Sequence, residues 1–139
     1  MTQDSSAAGF GTAGTAKYVQ LTTFRKDGTP VATPVWAALD GGRLLVWTET
    51  EAWKVKRLRR DPRVVVQACD ARGKKVTGDR VEGTGAILDA AGTERTRSAI
   101  SKKYGLLGWL LIKASLLRRG KDGTIGIAIT AGSDATSFR

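Results

Sequence analysis

Short runs of strand-forming residues, separated by tight glycine turns, dominate the first third of this 139-residue chain. Residues 17–24 are rich in Tyr, Val, Leu and Thr and nearly alternate polar with apolar positions, which is typical of a half-buried strand. An Asp-Gly turn at 26–29 leads to a second run at 31–39, and a turn at 40–42 leads to a third at 43–48. Asp-Gly pairs favour antiparallel hairpins. The sequence therefore predicts an antiparallel meander of three strands.

The rest of the chain adds two helices and three strands. A capping box formed by Thr48 and Glu51 predicts a short helix that ends near Arg60, before Asp61-Pro62. Further predictions are strands over 63–68, 80–88 and 124–129, and a longer helix that starts at 92 or 93 and is weakened by Gly105 and Gly108. The order βββαββαβ predicts a mainly β fold, a six-stranded, mostly antiparallel barrel with two helices.

The length suits one domain. We expect residues 1–16 to form a flexible N-terminal arm, 17–130 the folded domain and 131–139 a short tail. The N-terminal segment lacks the basic start and apolar core of a signal peptide. The longest apolar stretch, 106–117, is shorter than the roughly twenty residues that span a bilayer. A single cysteine, Cys69, fits a reducing compartment, so we expect a cytoplasmic protein.

The chain contains no histidine. This removes the commonest metal ligand, the commonest general base and the usual haem ligand. An enzyme made from this chain would take its chemistry from a bound cofactor or from Lys, Tyr and carboxylates. The net charge of +10 suits nucleic acid, an anionic membrane or a small acidic ligand. With 6% aromatic residues and no nucleic-acid-reading motif, nucleic acid is the weaker choice.

The segment 46–63 combines a strand end, a helix start and a run of cations. A helix N-terminus offers free backbone N–H groups and the positive end of the dipole, and so favours anions. Lys54 falls in the first turn, and Thr48 and Thr50 add hydroxyls at the same end. A phosphate monoester suits this arrangement. A capped surface helix with a solvated basic face is the alternative interpretation.

Five segments in a fixed order, 17–24, 28–36, 48–63, 81–85 and 103–105, carry a resemblance to a known family. Over residues 18–129 the chain resembles the pyridoxamine-phosphate-oxidase-like superfamily of flavin and deazaflavin oxidoreductases, and more closely its branch that uses coenzyme F420. The resemblance implies an FMN-binding split β-barrel that works as a homodimer with cofactor sites at the interface. It also implies hydride transfer between F420, an 8-hydroxy-5-deazaflavin, and an electron-poor small-molecule substrate. FMN is the alternative cofactor, and a basic nucleic-acid-binding or cofactor-carrier protein is the non-enzymatic alternative.

In this family the lysine at the helix start binds the cofactor phosphate, and the second strand passes the ring. The resemblance therefore implies a cofactor-binding set of Thr33, Pro34, Val35, Trp36, Thr48, Thr50, Trp53, Lys54, Lys56 and Arg57. It implies no metal and no catalytic side chain, because the hydride chemistry belongs to the cofactor. The chain departs from some relatives at Ala52, where they carry Arg or Ser.

Several residues have two interpretations. Trp36 could stack on the ring or lie at a dimer interface, and Trp53 could shield the phosphate or serve as packing. Tyr104 is a proton-donor candidate, with solvent as the other source, although its spacing favours core packing. The basic, leucine-rich stretch 101–119 could pack with a wet basic face, act as a lid or touch an anionic membrane. The loop 71–79 and the long helix are expected to set the substrate.

Overall fold

A computed structural model describes residues 9–132 as a closed six-stranded barrel with two helices. The strands are β1 (Tyr18–Phe24), β2 (Pro30–Asp40), β3 (Arg43–Glu49), β4 (Arg63–Cys69), β5 (Val76–Ile87) and β6 (Thr124–Ala131), and the helices are α1 (Trp53–Arg60) and α2 (Ala90–Arg119). The order around the barrel is β1-β2-β3-β6-β5-β4, with every neighbouring pair antiparallel. The predicted fold class and element order are confirmed.

Apolar side chains from alternate strand positions fill the barrel, as the two-residue period of a strand requires. The fully buried members include Val19, Leu21, Leu44, Val46, Val64, Val66, Ile127 and Ile129. A Cβ at Gly83 would stand 2.3 Å from the carbonyl oxygen of Thr130. Glycine therefore lets β5 approach β6 closely.

The N-terminal segment differs from its prediction. Residues 11–14 form a 3-10 helix, and the side chains of Phe10 and Ala13 are fully buried in the barrel core. The flexible arm predicted over 1–16 is therefore wrong for residues 9–16, because burial of a phenylalanine ring holds them to the barrel. Residues 1–8, and 133–139 of the predicted tail, lie outside the described residues.

Strand β2 changes partner along its length. Residues 30–35 pair with β1, and pairing with β3 begins at Trp36. Pro34 therefore has a partner on one side only, which suits a residue that cannot donate to a ladder. Beyond Trp47, β3 pairs with β6 alone. Strands β2 and β3 therefore separate at this end of the barrel.

Helix α1 starts later than predicted. Thr48 belongs to β3, where it pairs with Ile125, and the N-cap is Ala52 without a side-chain cap. The Thr48–Glu51 capping box is therefore wrong, because pairing with β6 extends the strand into the residues that the motif requires. Val55 and Leu58 are buried in the barrel core. The chain then leaves the helix as extended backbone at Asp61.

Helix α2 is divided at Gly105. It starts at Ala90, earlier than predicted, because the Asp89 carboxylate accepts a hydrogen bond from Gly92 N at 2.8 Å. Gly105 has φ 66° and ψ −144°, which is the predicted break and which only glycine adopts easily. We call residues 90–104 the N-terminal half and 106–119 the C-terminal half. Within residues 9–132, no helix is both long and apolar enough to cross a membrane.

Candidate functional site

A cleft of about 300 Å3 opens where β2 and β3 separate. Its lining comes from both strands, from β1, from the first turn of α1, from the loop after β4 and from the C-terminal half of α2. The lining residues are Tyr18, Pro34, Val35, Trp36, Trp47, Thr48, Lys54, Ala71 and Leu111. The structure therefore brings together Pro34, Val35, Trp36, Thr48 and Lys54 of the predicted set.

Lys54 places a half-buried cation at the start of α1. Burial lowers the pKa of its ammonium, repulsion by Arg57 lowers it further, and Glu49 raises it. No side chain caps the helix. The Val55 N–H donates to the Ala52 carbonyl, so within residues 9–132 the open N–H groups of the first turn are those of Trp53 and Lys54. Among the described residues that line the cleft, Lys54 alone is charged. An anion bound here would restore part of the solvation that the ammonium has lost.

Trp36 forms an aromatic wall of the cleft, and the Tyr104 ring holds it in position from the side away from the cleft. Its ring stacks on Tyr104, with centroids 4.3 Å apart and planes 7° from parallel. The Tyr104 hydroxyl donates to the Lys17 carbonyl at 2.6 Å and accepts from Ala37 N at 3.2 Å. Burial raises the pKa of this hydroxyl. Because Tyr104 does not line the cleft, its described role is to position Trp36.

Trp47 contributes an unsatisfied donor. Its indole Nε1 is buried and has no hydrogen-bond partner within residues 9–132. The residue lines the cleft between Trp36, its cross-strand neighbour, and Thr48. Buried donors without a partner are rare and cost free energy. A ligand with an acceptor atom at this point would remove that cost.

The other predicted residues lie outside the cleft. Thr33 is paired with Leu21 on β1, and Thr50 Oγ1 donates to the Asp122 carbonyl at 2.7 Å. Trp53 is 70% exposed, so its predicted packing role is not seen, and the Lys56 ammonium lies 4.7 Å from its ring centroid. Neither Trp53 nor Lys56 lines the cleft.

Arg57 lines a second, basic depression at α1 and not the cleft. Its Nε donates to Thr23 Oγ1 at 2.7 Å. The depression measures about 410 Å3 and is lined by Arg25, Lys26, Trp53, Arg57 and Arg60. Lys54 of α1 thus lines the cleft, whereas Arg57 of the same helix lines the basic depression. The predicted set is divided between these two places.

A larger cavity of about 670 Å3 lies between β2 and the N-terminal half of α2. Of its charged residues Asp40, Arg95, Lys102 and Lys103, all but Lys102 have partners within the described part of the chain. Arg95 is paired with Asp40, and the Lys103 ammonium donates to the carbonyls of Ala16 and Ala37 at 2.6 Å each. We prefer the smaller cleft, because a half-buried cation, an uncapped helix start and an aromatic wall meet there. Within residues 9–132 no cluster of potential metal ligands occurs.

Four cleft residues were absent from the predicted set. Tyr18 lies in a segment that carries the family resemblance, and Ala71 in the loop expected to set the substrate, so both had a signal. The position of Trp47 within a strand favours core packing over binding. Leu111 comes from α2, and its approach to the cleft depends on how that helix crosses β2 and β3.

Comparison with known proteins gives one family and a common fold. The model of the pyridoxamine 5'-phosphate oxidase family matches residues 13–129. None of the curated proteins matches the chain. Among solved structures, the conserved hypothetical protein Rv2991 from Mycobacterium tuberculosis shares 22% identity, with 96% of this chain and 82% of that chain covered and a TM-score of 0.69.

Two further solved structures have the same fold and different functions. A structure described as an F420 reductase shares 17% identity over 88% of this chain and 92% of that chain, with a TM-score of 0.55. The heme storage protein HutZ from Vibrio cholerae shares 13% identity over 84% and 82%, with a TM-score of 0.61. At these identities the likeness shows the fold alone.

Proposed function

The chain belongs to the pyridoxamine 5'-phosphate oxidase family, and on that premise we propose that it binds the deazaflavin coenzyme F420 in the cleft and works as an oxidoreductase. The observation that carries the proposal is the meeting of Lys54, an uncapped helix start and an aromatic wall in one cleft. The F420 reductase among the similar structures shows that this fold occurs with that cofactor.

Lys54 is the proposed phosphate ligand. Its ammonium and the open N–H groups of the first turn of α1 offer a cation and hydrogen-bond donors to the same anion. Thr48 contributes a hydroxyl at the neighbouring strand end. The lowered pKa of Lys54 means that the pocket strips water from the ammonium, which strengthens its attraction for a phosphate.

The walls of the cleft suit a flat heteroaromatic ring. Pro34, Val35 and Trp36 form one apolar side, and the Tyr104 ring behind Trp36 holds it in place. Trp47 adds a second indole to the lining, and its buried Nε1 would have to turn toward the cleft to donate to a ring carbonyl. These residues would orient the ring and keep water from one of its faces.

A deazaflavin bound in this cleft would supply hydride chemistry toward an electron-poor substrate. The chain itself would bind, orient and exclude water. We propose solvent, rather than Tyr104, as the source of any proton, because the Tyr104 hydroxyl donates to Lys17 and lies behind the Trp36 wall. Ala71 and Leu111 at the rim would contact the substrate.

We further propose that a second copy of the chain closes the cleft. About 300 Å3 is at the lower limit for a site that encloses a drug-sized ligand. A homodimer with its interface across the cleft mouth would supply the missing wall for each cofactor. Light scattering after size exclusion would give twice the monomer mass, and a monomeric mass in the presence of cofactor would contradict this part of the proposal.

FMN is the second candidate, because the matching family is that of an oxidase and the same phosphate ligand serves both cofactors. Haem storage, as in HutZ, is not carried over to this chain. The sequence contains no histidine, which is the usual axial ligand of haem.

The test is a fluorescence titration of the purified protein with F420 and with FMN, comparing Lys54→Ala with Lys56→Ala. Both variants remove one cation from α1, but only Lys54 lines the cleft. We expect Lys54→Ala to weaken binding about tenfold to a hundredfold, the worth of a charge-assisted hydrogen bond. Lys56→Ala should leave the affinity nearly unchanged.

Each outcome has a clear meaning. Tight F420 binding that depends on Lys54 supports the proposal and justifies a substrate screen. Tight FMN binding keeps the site but replaces the cofactor. Binding of neither, or equal losses in the two variants, would overturn the assignment of the cleft.

A further inference from the structure

The C-terminal half of α2 turns a row of leucines away from the barrel. Leu106 is 71% exposed, Leu117 is 90% exposed, and Leu110 between them is about half exposed. These three positions share one side of a helix with 3.6 residues per turn. The opposite side, with Gly108 and Ile112, is buried against the barrel. We call Leu106, Leu110 and Leu117 the leucine face.

The surroundings of the leucine face are cationic. Between residues 101 and 121 the sequence has no Asp or Glu, and its Lys and Arg residues are Lys102, Lys103, Lys113, Arg118, Arg119 and Lys121. Arg119 is paired with Glu49 at 3.0 Å and Lys103 is bound to two carbonyls. Within residues 9–132, Lys113, Arg118 and Lys121 form no ion pair.

We propose that the leucine face rests on an anionic lipid bilayer, so that the protein is a peripheral membrane protein. A helix that presents leucines between lysines and arginines lies in the plane of an interface, with its apolar side among the acyl chains and its cations at the headgroups. The long stems of Lys113 and Arg118 let their charges reach the headgroup level. Anionic lipids supply the counter-charges that the chain lacks in this region.

Charge favours lipid over a second copy as the occupant of this face. A twofold interface brings the same patch of two chains together. Lys113, Arg118 and Lys121 would then meet their own copies with no nearby acid, and like charges across an interface are costly. Leu111, which lines the cleft, lies about 100° around the helix from Leu110. The cleft mouth and the leucine face therefore point in different directions, and a second copy across the cleft need not cover the leucine face.

The membrane proposal is independent of the cofactor, and its test uses lipid vesicles alone. The full chain is sedimented with vesicles of phosphatidylcholine mixed with phosphatidylglycerol, and with vesicles of phosphatidylcholine only. The variants are Leu106→Ser/Leu110→Ser/Leu117→Ser and Lys113→Glu/Arg118→Glu. The matched control is Lys74→Glu/Lys75→Glu, which makes the same charge change on exposed residues of the loop after β4.

We expect the unaltered chain to bind the anionic vesicles and to lose binding as salt rises. The leucine variant and the Lys113/Arg118 variant should each weaken binding by at least about tenfold, whereas the Lys74/Lys75 control should bind nearly as well as the unaltered chain. Circular dichroism would confirm that each variant keeps its fold, which the exposure of these side chains predicts.

Three results would overturn the proposal. The first is no sedimentation with anionic vesicles. The second is an equal loss in the control, which would mean attraction by net charge without a defined face. The third is a drop in the mass of the leucine variant by light scattering, with lipid binding unchanged, which would assign the face to a second copy of the chain.

Discussion

The two halves of α2 belong to one helix but differ in the side that faces outward, which is polar in the N-terminal half and apolar in the C-terminal half. In the N-terminal half, Thr96, Arg97 and Ile100 face the barrel and are buried, while Glu94 and Ser98 face outward. In the C-terminal half, Ile112 faces the barrel and the leucine face points outward. The N-terminal half suits a position between a protein core and water. The C-terminal half is apolar on two sides, which suits a helix with two apolar neighbours.

The difference in polar anchoring follows the same division. The Arg97 guanidinium donates to the Lys121 carbonyl at 2.8 Å and to Thr124 Oγ1 at 2.9 Å, and so ties the N-terminal half to the start of β6. Beyond Gly105, the side-chain tie observed within residues 9–132 is the exposed Arg119–Glu49 pair. An exposed pair of this kind contributes little. The C-terminal half therefore relies on apolar contacts.

The largest effect should come from a cavity in the anchored half. Ile100→Ala should lower the free energy of unfolding by about 2–5 kcal/mol, because Ile100 is fully buried. Leu117→Ala should change it by less than about 0.5 kcal/mol, because that side chain is almost wholly exposed. Urea unfolding of both variants measures the contrast. Equal losses would mean that the leucine face is already packed against another copy in solution.

A smaller effect is expected at the boundary between the halves. Gly105→Ala should cost about 1–3 kcal/mol, because its backbone lies in a region that L-residues rarely adopt. A Cβ at Gly105 meets no atom within 4 Å, so the cost is conformational and not steric. Thermal unfolding with a matched Ser101→Ala variant measures it. An unchanged melting temperature would show that the helix straightens without loss.

The smallest effect is a pH dependence of the anchored half. Burial lowers the pKa of Lys103 to about 8 from its usual 10.5, so between these values the unfolded chain binds more protons than the folded one. Stability should therefore rise as the pH increases from 8 toward 10, and Lys103→Met should reduce that rise. Urea unfolding across this range compares the two proteins. The two carbonyl acceptors favour the charged amine and keep the effect small. A rise that is identical in both would assign it to other groups.

The sequence predicts the barrel well because strand period and turn chemistry are local. Gly28 and Gly41 have φ of 90° and 64° in the predicted turns, and the strands around them are where alternation places them. Two predictions from local sequence were wrong because tertiary contacts override the local preference. Thr48 pairs with β6 and therefore does not cap α1. Burial of Phe10 orders a segment whose composition indicates a loose arm.

The sequence predicted only those parts of the candidate site that lie within a single segment. Lys54 and the Pro34–Trp36 segment were accessible from motif and resemblance. The division of α1 between the cleft and the basic depression was not, because Lys54 and Arg57 lie only about 60° apart around the helix, and the docking of the helix decides which depression each residue lines. For stretch 101–119 the sequence left three interpretations open. The structure exposes leucines beside lysines and arginines there, and only packing decides which side of the helix faces outward.

The position of β6 has a consequence for biosynthesis. This strand lies between β3 and β5 in the barrel, although it is translated after all the other strands. Until residues 124–131 leave the ribosome, β3 and β5 keep open edges, which are the surfaces through which nascent chains associate wrongly. Thr48, Arg97 and the cleft all depend on that late strand. The nascent chain should therefore need a chaperone up to this point and gain its ligand-binding capacity in a single late step.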